Sequence, residues 1–263
     1  MAIIEATRIS VHFPLTGESV LSGPEGPENL IRVGNKPYIH ALRDLTFRIG
    51  EGSCVGLIGR NGSGKSTLLR VLGKIYAPTG GHLHTEGQIS SLFNLNLGMQ
   101  PDATGRENIT IRGLIKGWSR KEIRSRAPEI IEFSELEDFI DLPVRTYSDG
   151  MRMRLLFAIA TVFSPEILLL DEWIAAGDAK FKKKASARMN SLVSEAGITV
   201  IAGHNRSLLQ NVCDLGMWLD RGVMRAFGPI KEVYQEMDSY LDKSHEPVVT
   251  RTTQQMGSKA EAI

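Results

Sequence analysis

The sequence predicts an α/β fold: a mainly parallel sheet that carries a phosphate-binding loop and is interrupted by a block of helices. Three observations predict it. Residues Gly59-Arg60-Asn61-Gly62-Ser63-Gly64-Lys65-Ser66 fit the pattern GxxxxGK[ST]. An apolar run, residues 54–58, precedes them, and a helix-like run beginning at Thr67 follows. Residues 167–170 are wholly apolar and end in Asp171-Glu172, the pattern of a strand buried on both faces at the centre of a parallel sheet. Between these two lie residues 104–163, with helical spacing of apolar positions and strand–helix alternation on either side.

The elements follow in order. Residues 3–13 read as a strand. Residues 14–37 are rich in Gly, Pro, Ser and Asn and read as one long loop. Residues 41–49 form the next strand, ending at Gly50-Glu51-Gly52. The phosphate loop and its helix come next. Pro78-Thr79-Gly80-Gly81 marks a turn, and residues 82–95 hold two short strands. In the helical block, residues 107–116, 120–133 and 151–163 are the helices. Then come strand 167–170, helix 180–196, strand 199–202, helix 207–213, strand 215–219 and an amphipathic helix, 232–241. Residues 1–242 form the folded unit. The polar tail, 243–263, is expected to be disordered, and it is too short for a separate β-sandwich domain.

Composition narrows the function classes. The chain has 263 residues, 42% hydrophobic and 23% charged, with a formal net charge of +1. That charge gives no global attraction to nucleic acid or anionic membrane. Two cysteines, Cys54 and Cys213, make no disulfide framework and read as buried free thiols in a reducing compartment. No apolar run approaches the ~18 residues that span a bilayer. The first residues lack a basic start before an apolar core, so no signal peptide is expected. Any membrane role then runs through a partner.

The chemistry begins at the phosphate loop. Glycines let the backbone curl until its N–H groups point at phosphate oxygens, and the following helix adds the positive end of its dipole. Lys65 is expected to reach the outer phosphates and Ser66 to hold magnesium. Ligands bind at the carboxyl ends of strands in such sheets, so Asp171 is expected beside that magnesium. Glu172 is the candidate general base for an attacking water.

Further along, Tyr147-Ser148-Asp149-Gly150-Met151 opens a helix, Asp178 follows the acidic strand, and Ala202-Gly203-His204 follows another apolar strand. In that order, these motifs resemble the ATP-binding cassette of ABC transporters over residues 3–219. A narrower likeness is to the ATPase subunits of polysaccharide exporters, which move lipid-linked O-antigen, teichoic acid or capsular polymer. It is carried by Thr104-Gly105-Arg106-Glu107-Asn108-Ile109, the Tyr147 motif, Asp171 to Asp178, and Gly228-Pro229-Ile230-Lys231-Glu232-Val233.

The resemblance implies a P-loop NTPase core of RecA-like type with an antiparallel β subdomain and an inserted helical subdomain, residues 104–163. It implies ATP and Mg2+, with residues 59–67, from Gly59 to Thr67, on the nucleotide. Ser148, Gly150 and Asp178 are expected to act across a head-to-tail dimer, and His204 on the γ-phosphate. The magnesium-linked loop residue is Asn94 or Gln100, with Asn94 preferred. The adenine-stacking aromatic is Phe13 or Tyr38. Asp149 departs from the usual signature glycine and would bring a carboxylate near phosphate. The implied partners are a second copy, a polytopic permease docked along residues 94–112 and, indirectly, the lipid-linked polysaccharide. The implied place is peripheral, on the cytoplasmic face of the inner membrane. The alternatives are a small-solute importer subunit or a soluble nucleic-acid cassette. Against the last, no long coiled coil and no second cassette are evident, so nucleic acid is not an expected partner.

Overall fold

The structure, a computed structural model, describes residues 1–15, 29–34, 36–93, 98–171 and 179–244. In chain order its elements begin with β1 (Ile3–Pro14), β2 (Leu30–Val33), β3 (Lys36–Gly50), β4 (Ser53–Ile58), α1 (Lys65–Leu72), β5 (Gly80–Glu86) and β6 (Ile89–Ser91). The helical block holds α2 (Gly105–Ile115), α3 (Arg120–Ser134) and α4 (Asp149–Ala160). The chain then runs through β7 (Ile167–Asp171), α5 (Ala179–Glu195), β8 (Ile198–Ala202), α6 (Arg206–Val212), β9 (Leu215–Asp220), β10 (Val223–Pro229) and α7 (Ile230–Ser244).

Two sheets organise the core. One is antiparallel, in the order β2-β3-β1-β5; the other runs β10-β9-β4-β8-β7-β6 and is parallel except for β10 against β9. The second is apolar on both faces, and its residues alternate between two cores. Val55, Leu57, Ile167, Leu169, Val200 and Ala202 pack with α1 and the antiparallel sheet. Cys54, Ile58, Leu168, Leu170 and Ile201 pack with the helices on the other side. Continuous apolar strands are what a sheet covered on both faces requires. Cys54 and Cys213 are free and buried, their Sγ atoms 3.2 Å apart.

Two expectations need correction. Residues 14–37 are not one loop: β2 and the start of β3 lie within them, and Leu30 to Val33 pair antiparallel with Lys36 to Ile39. Leu30 to Val33 are held by this pairing with β3, while residues 16–28, which carry most of the polar composition, lie outside the described residues. In addition, β10 was missed. It alternates poorly and is defined by its register on β9, Val223 opposite Asp220 and Pro229 opposite Leu215.

The helical block is fixed to the core by specific contacts. Lys184 of α5 donates to the last carbonyls of α3, Phe133 at 3.0 Å and Glu132 at 3.4 Å. It thus caps that helix and does not simply solvate α5. Arg188 pairs with Glu129 at 2.9 Å and lies over the Phe133 ring. Helix α4 starts at Asp149, earlier than the apolar spacing implied, because Ser148 accepts from the Met151 N–H at 3.2 Å.

The Thr104 motif has a structural explanation. Thr104 and Glu107 make a reciprocal capping box at the start of α2. A Cβ on Gly105 would fall 2.5 Å from Tyr147 Oη, so the glycine makes room for that ring. Tyr147 Oη donates to the Phe139 carbonyl at 2.7 Å, and the Arg106 N–H donates to the Ile140 carbonyl at 3.0 Å. Asn108 is fully buried. Its Oδ1 accepts from the Gln100 N–H at 2.8 Å, and its Nδ2 donates to the carbonyls of Gln100 at 2.9 Å and Thr104 at 2.9 Å. Asn108→Leu should therefore strand buried backbone groups and destabilise the chain by about 2–3 kcal/mol. Urea denaturation checks this; an unchanged midpoint would contradict the pinning role.

Candidate functional site

The phosphate loop joins β4 to α1, and its shape is set by glycine. Gly64 is the residue before α1, with φ 108°, and a Cβ there would meet the Ala41 carbonyl at 2.8 Å. Gly59 has φ 150°, and a Cβ there would overlap the Leu219 carbonyl. The loop is thus held between β3 on one side and β9 on the other, with no space for a side chain at Gly64 or Gly59. A third glycine completes the arrangement. The Gly222 N–H donates to the Ser63 carbonyl at 2.9 Å, and the Gly222 carbonyl accepts from the Arg43 N–H at 2.7 Å. Gly222 sits in the β9–β10 turn with φ 81°. Sequence reasoning missed it, although its position beside Arg221 between two extended runs is a turn signal.

The loop opens on a cleft of about 250 Å3, lined by residues 61–67, Asp171 and Ala202-Gly203-His204. Lys65 is largely buried, and its Nζ donates to the carbonyls of Gly59 at 2.7 Å and Arg60 at 3.1 Å. Ser63 is buried, and its Oγ has no hydrogen-bond partner among the described residues. An orphaned buried hydroxyl beside a curled backbone is a vacant donor position, the arrangement that phosphate oxygens fill. The Ser66 and Asp171 oxygens lie 3.4 Å apart, across from each other at the helix start and the strand end. An oxygen pair of this kind suits a hard divalent cation.

Asp171 is brought there by register: it pairs with Ala202 in the parallel β7–β8 ladder. The same register carries His204, two residues beyond Ala202, to the cleft, where it is exposed. So the structure brings together Asn61, Gly62, Ser63, Gly64, Lys65, Ser66, Thr67, Asp171 and His204. Gly59 and Arg60 touch Lys65 through their carbonyls. Glu172, Asp178 and Asn94 lie outside the described residues. Gln100 does not line this cleft; its backbone is held by Asn108.

Ser148 and Gly150 are exposed and do not line the cleft of their own chain. Asp149 forms an exposed ion pair with Arg152 one turn along α4. Of the two aromatics, Phe13 packs edge-on against Tyr76 at 5.3 Å. Tyr38 is half-buried and has no ring contact among the described residues.

The family model described as ABC transporter matches residues 42–175. The chain is 50% identical over 198 residues to the O-antigen export system ATP-binding protein RfbB of Myxococcus xanthus, covering 75% of this chain and 45% of that protein. It is 46% identical over 191 residues to the corresponding RfbE of Yersinia enterocolitica, covering 73% of this chain and 80% of that protein. The chain thus spans under half the length of the first relative and most of the second. In fold it resembles a dimeric ATP-binding cassette bound to ADP and Pi, with TM-score 0.63 and 22% identity over 86% of this chain and 98% of that one.

Gly222→Ala tests whether the loop is shaped from behind. The substitution strains a positive φ and sets a Cβ 2.6 Å from the Ala41 carbonyl. It should destabilise the chain by about 2 kcal/mol and weaken nucleotide binding, although the residue does not line the cleft. Thermal melting and a nucleotide titration read both; normal binding in a folded variant would contradict the shaping role.

Proposed function

The chain belongs to the ABC transporter family of ATP-binding proteins, and from that premise we propose that it is the ATPase subunit of an exporter for a lipid-linked polysaccharide. The observation that carries the ATPase part is the cleft itself. An orphaned Ser63 hydroxyl, the Lys65 ammonium and the Ser66–Asp171 oxygen pair all converge at the start of α1. The export part is supported by the likeness to proteins whose names specify O-antigen export.

In this reading the β- and γ-phosphates of ATP lie along residues 59–67. Phosphate oxygens take over the Lys65 ammonium from the Gly59 and Arg60 carbonyls, and the Ser63 hydroxyl gains an acceptor. Ser66 and Asp171 would hold Mg2+, which offsets charge on the outer phosphates. Glu172 orients and deprotonates the water that attacks the γ-phosphorus, and His204 hydrogen-bonds the γ-phosphate. Tyr38 stacks on adenine, a contact worth on the order of 1 kcal/mol. Ser148 and Gly150, exposed at the start of α4, together with Asp178, complete the site of a second copy in a head-to-tail dimer.

No helix among the described residues is long and apolar enough to cross a membrane. Translocation then needs a polytopic permease, docked where the helical block meets the core, and the chain sits at the cytoplasmic face of the membrane through it. Closure of two cassettes on ATP would move the helical blocks as rigid bodies and drive the permease.

Glu172→Gln should keep ATP binding and slow turnover by roughly 10²–10⁴-fold, the range for a lost general base. Single-turnover assays measure this, and unimpaired hydrolysis would remove Glu172 from the mechanism. Lys65→Ala should instead weaken ATP binding itself; a variant with wild-type affinity would contradict the phosphate role.

A further inference from the structure

The motif Gly228-Pro229-Ile230-Lys231-Glu232-Val233 has no part in the ATP chemistry described above. It ends β10 and starts α7, and it sets that helix close against the parallel sheet. The Ile230 N–H donates to the Asp214 carbonyl at 3.0 Å. A Cβ on Gly56 would fall 3.1 Å from Ile230 Cδ1, and one on Gly216 would fall 3.2 Å from Ile230 Cα. Two glycines, on β4 and β9, thus make room for the first residue of α7. Ile230, Val233 and Tyr234 are buried in the same core as Leu209 of α6. Helix α7 is therefore a packed platform beside α6.

Helix α6 starts two residues after His204. Asn205 caps it, accepting from the Leu208 N–H at 3.0 Å. Arg206 is the first helical residue, and it does not line the nucleotide cleft. Its Nη1 donates to both carboxylate oxygens of Asp238, at 2.9 and 3.1 Å. Its guanidinium lies 4.3 Å from the centre of the Tyr234 ring, within cation–π range. Tyr234 and Asp238 stand four residues apart on α7 and so share one face of it. His204 is exposed in the cleft, and its ring has no hydrogen-bond partner among the described residues. What the described residues hold in place is the backbone that carries it, and Arg206 is the side chain that ties that backbone to α7. An exposed ion pair adds little to overall stability; its consequence here is local placement.

We propose that Arg206 is a positioning residue for hydrolysis: held by the Tyr234 ring and the Asp238 carboxylate, it fixes the start of α6 to α7 and so keeps His204 aimed into the nucleotide cleft. The inference rests on the reading above in which His204 hydrogen-bonds the γ-phosphate. It adds that this contact is set from α7, an element outside the cleft. A small misplacement of a group that acts only on the reacting phosphate lowers the rate of the chemical step and leaves binding nearly intact.

The test uses the full chain under conditions where the wild type hydrolyses ATP. Single-turnover hydrolysis and ATP affinity are measured for Arg206→Gln and Asp238→Asn, each in the wild-type and the His204→Gln backgrounds. Arg206→Gln should slow hydrolysis by about five- to tenfold, the combined strength of an exposed ion pair and a cation–π contact. Asp238→Asn, which keeps the ring contact, should slow it by about threefold. ATP affinity should stay within about twofold in both. Tyr234→Phe keeps the ring and should keep the rate. In the His204→Gln background the same substitutions should cost less than about twofold, because the residue they position is already gone. Equal losses in the two backgrounds would make Arg206 a general structural group and overturn the inference. A fall in ATP affinity that matches the fall in rate would put Arg206 on the nucleotide and overturn it as well. Normal turnover in Arg206→Gln, with His204→Gln impaired, would overturn the inference and leave the ATPase reading standing. Unimpaired hydrolysis in His204→Gln would instead remove the histidine role on which the inference rests.

Discussion

Backbone meets backbone at the phosphate loop, and the rest of the site depends on that close approach. Gly59 lies against the Leu219 carbonyl, Gly64 against that of Ala41, and Gly222 bridges Ser63 to Arg43. Each contact removes freedom from a loop that would otherwise be mobile. The antiparallel sheet supplies one wall through β3, and the parallel sheet supplies the other through β9 and the turn after it. The cradle is therefore shaped by long-range packing before nucleotide arrives, so little ordering entropy remains to oppose binding. Two buried cores, one on each face of the parallel sheet, hold those walls in place.

The helical block uses a different device to reach the same rigidity. Tyr147 stands immediately before the exposed Ser148, and its hydroxyl is tied to the segment that also receives the Arg106 N–H. Gly105 is small because that ring occupies the space. The start of α2 and the start of α4 thus move together. Asn108 extends the link to Gln100 and Thr104.

Much of this was legible in the sequence, because it is written locally. The phosphate loop needs consecutive residues, and the apolar strand ending at Asp171 shows its burial by composition alone. Helices α2, α3 and α4 appeared within a few residues of their ends because their apolar spacing is regular. What escaped was set by residues distant in the chain. Strands β2 and β10 are weak as isolated sequences and are defined by β3 and β9. Gly222 acts on Ser63, 159 residues earlier in the chain, and a single glycine in a turn carries no sign of that. Lys184 caps α3 from a helix about fifty residues further along the chain. The Asp149–Arg152 ion pair likewise depends on the turn of α4 that sets the two side chains together. The edge-on packing of Phe13 against Tyr76 is also a contact between residues distant in the chain.

In the proposed dimer each ATP is held by Lys65 of one copy and Ser148 of another. Mixing two inactive variants tests it most directly. Lys65→Ala removes the phosphate lysine and keeps Ser148; Ser148→Arg blocks the second half and keeps Lys65. Each alone should hydrolyse almost no ATP. Mixed at equal concentration, they should regain activity, because the mixed dimer contains one intact site built from both chains. A mixture as inactive as its components, or full activity in Ser148→Arg alone, would contradict the shared site.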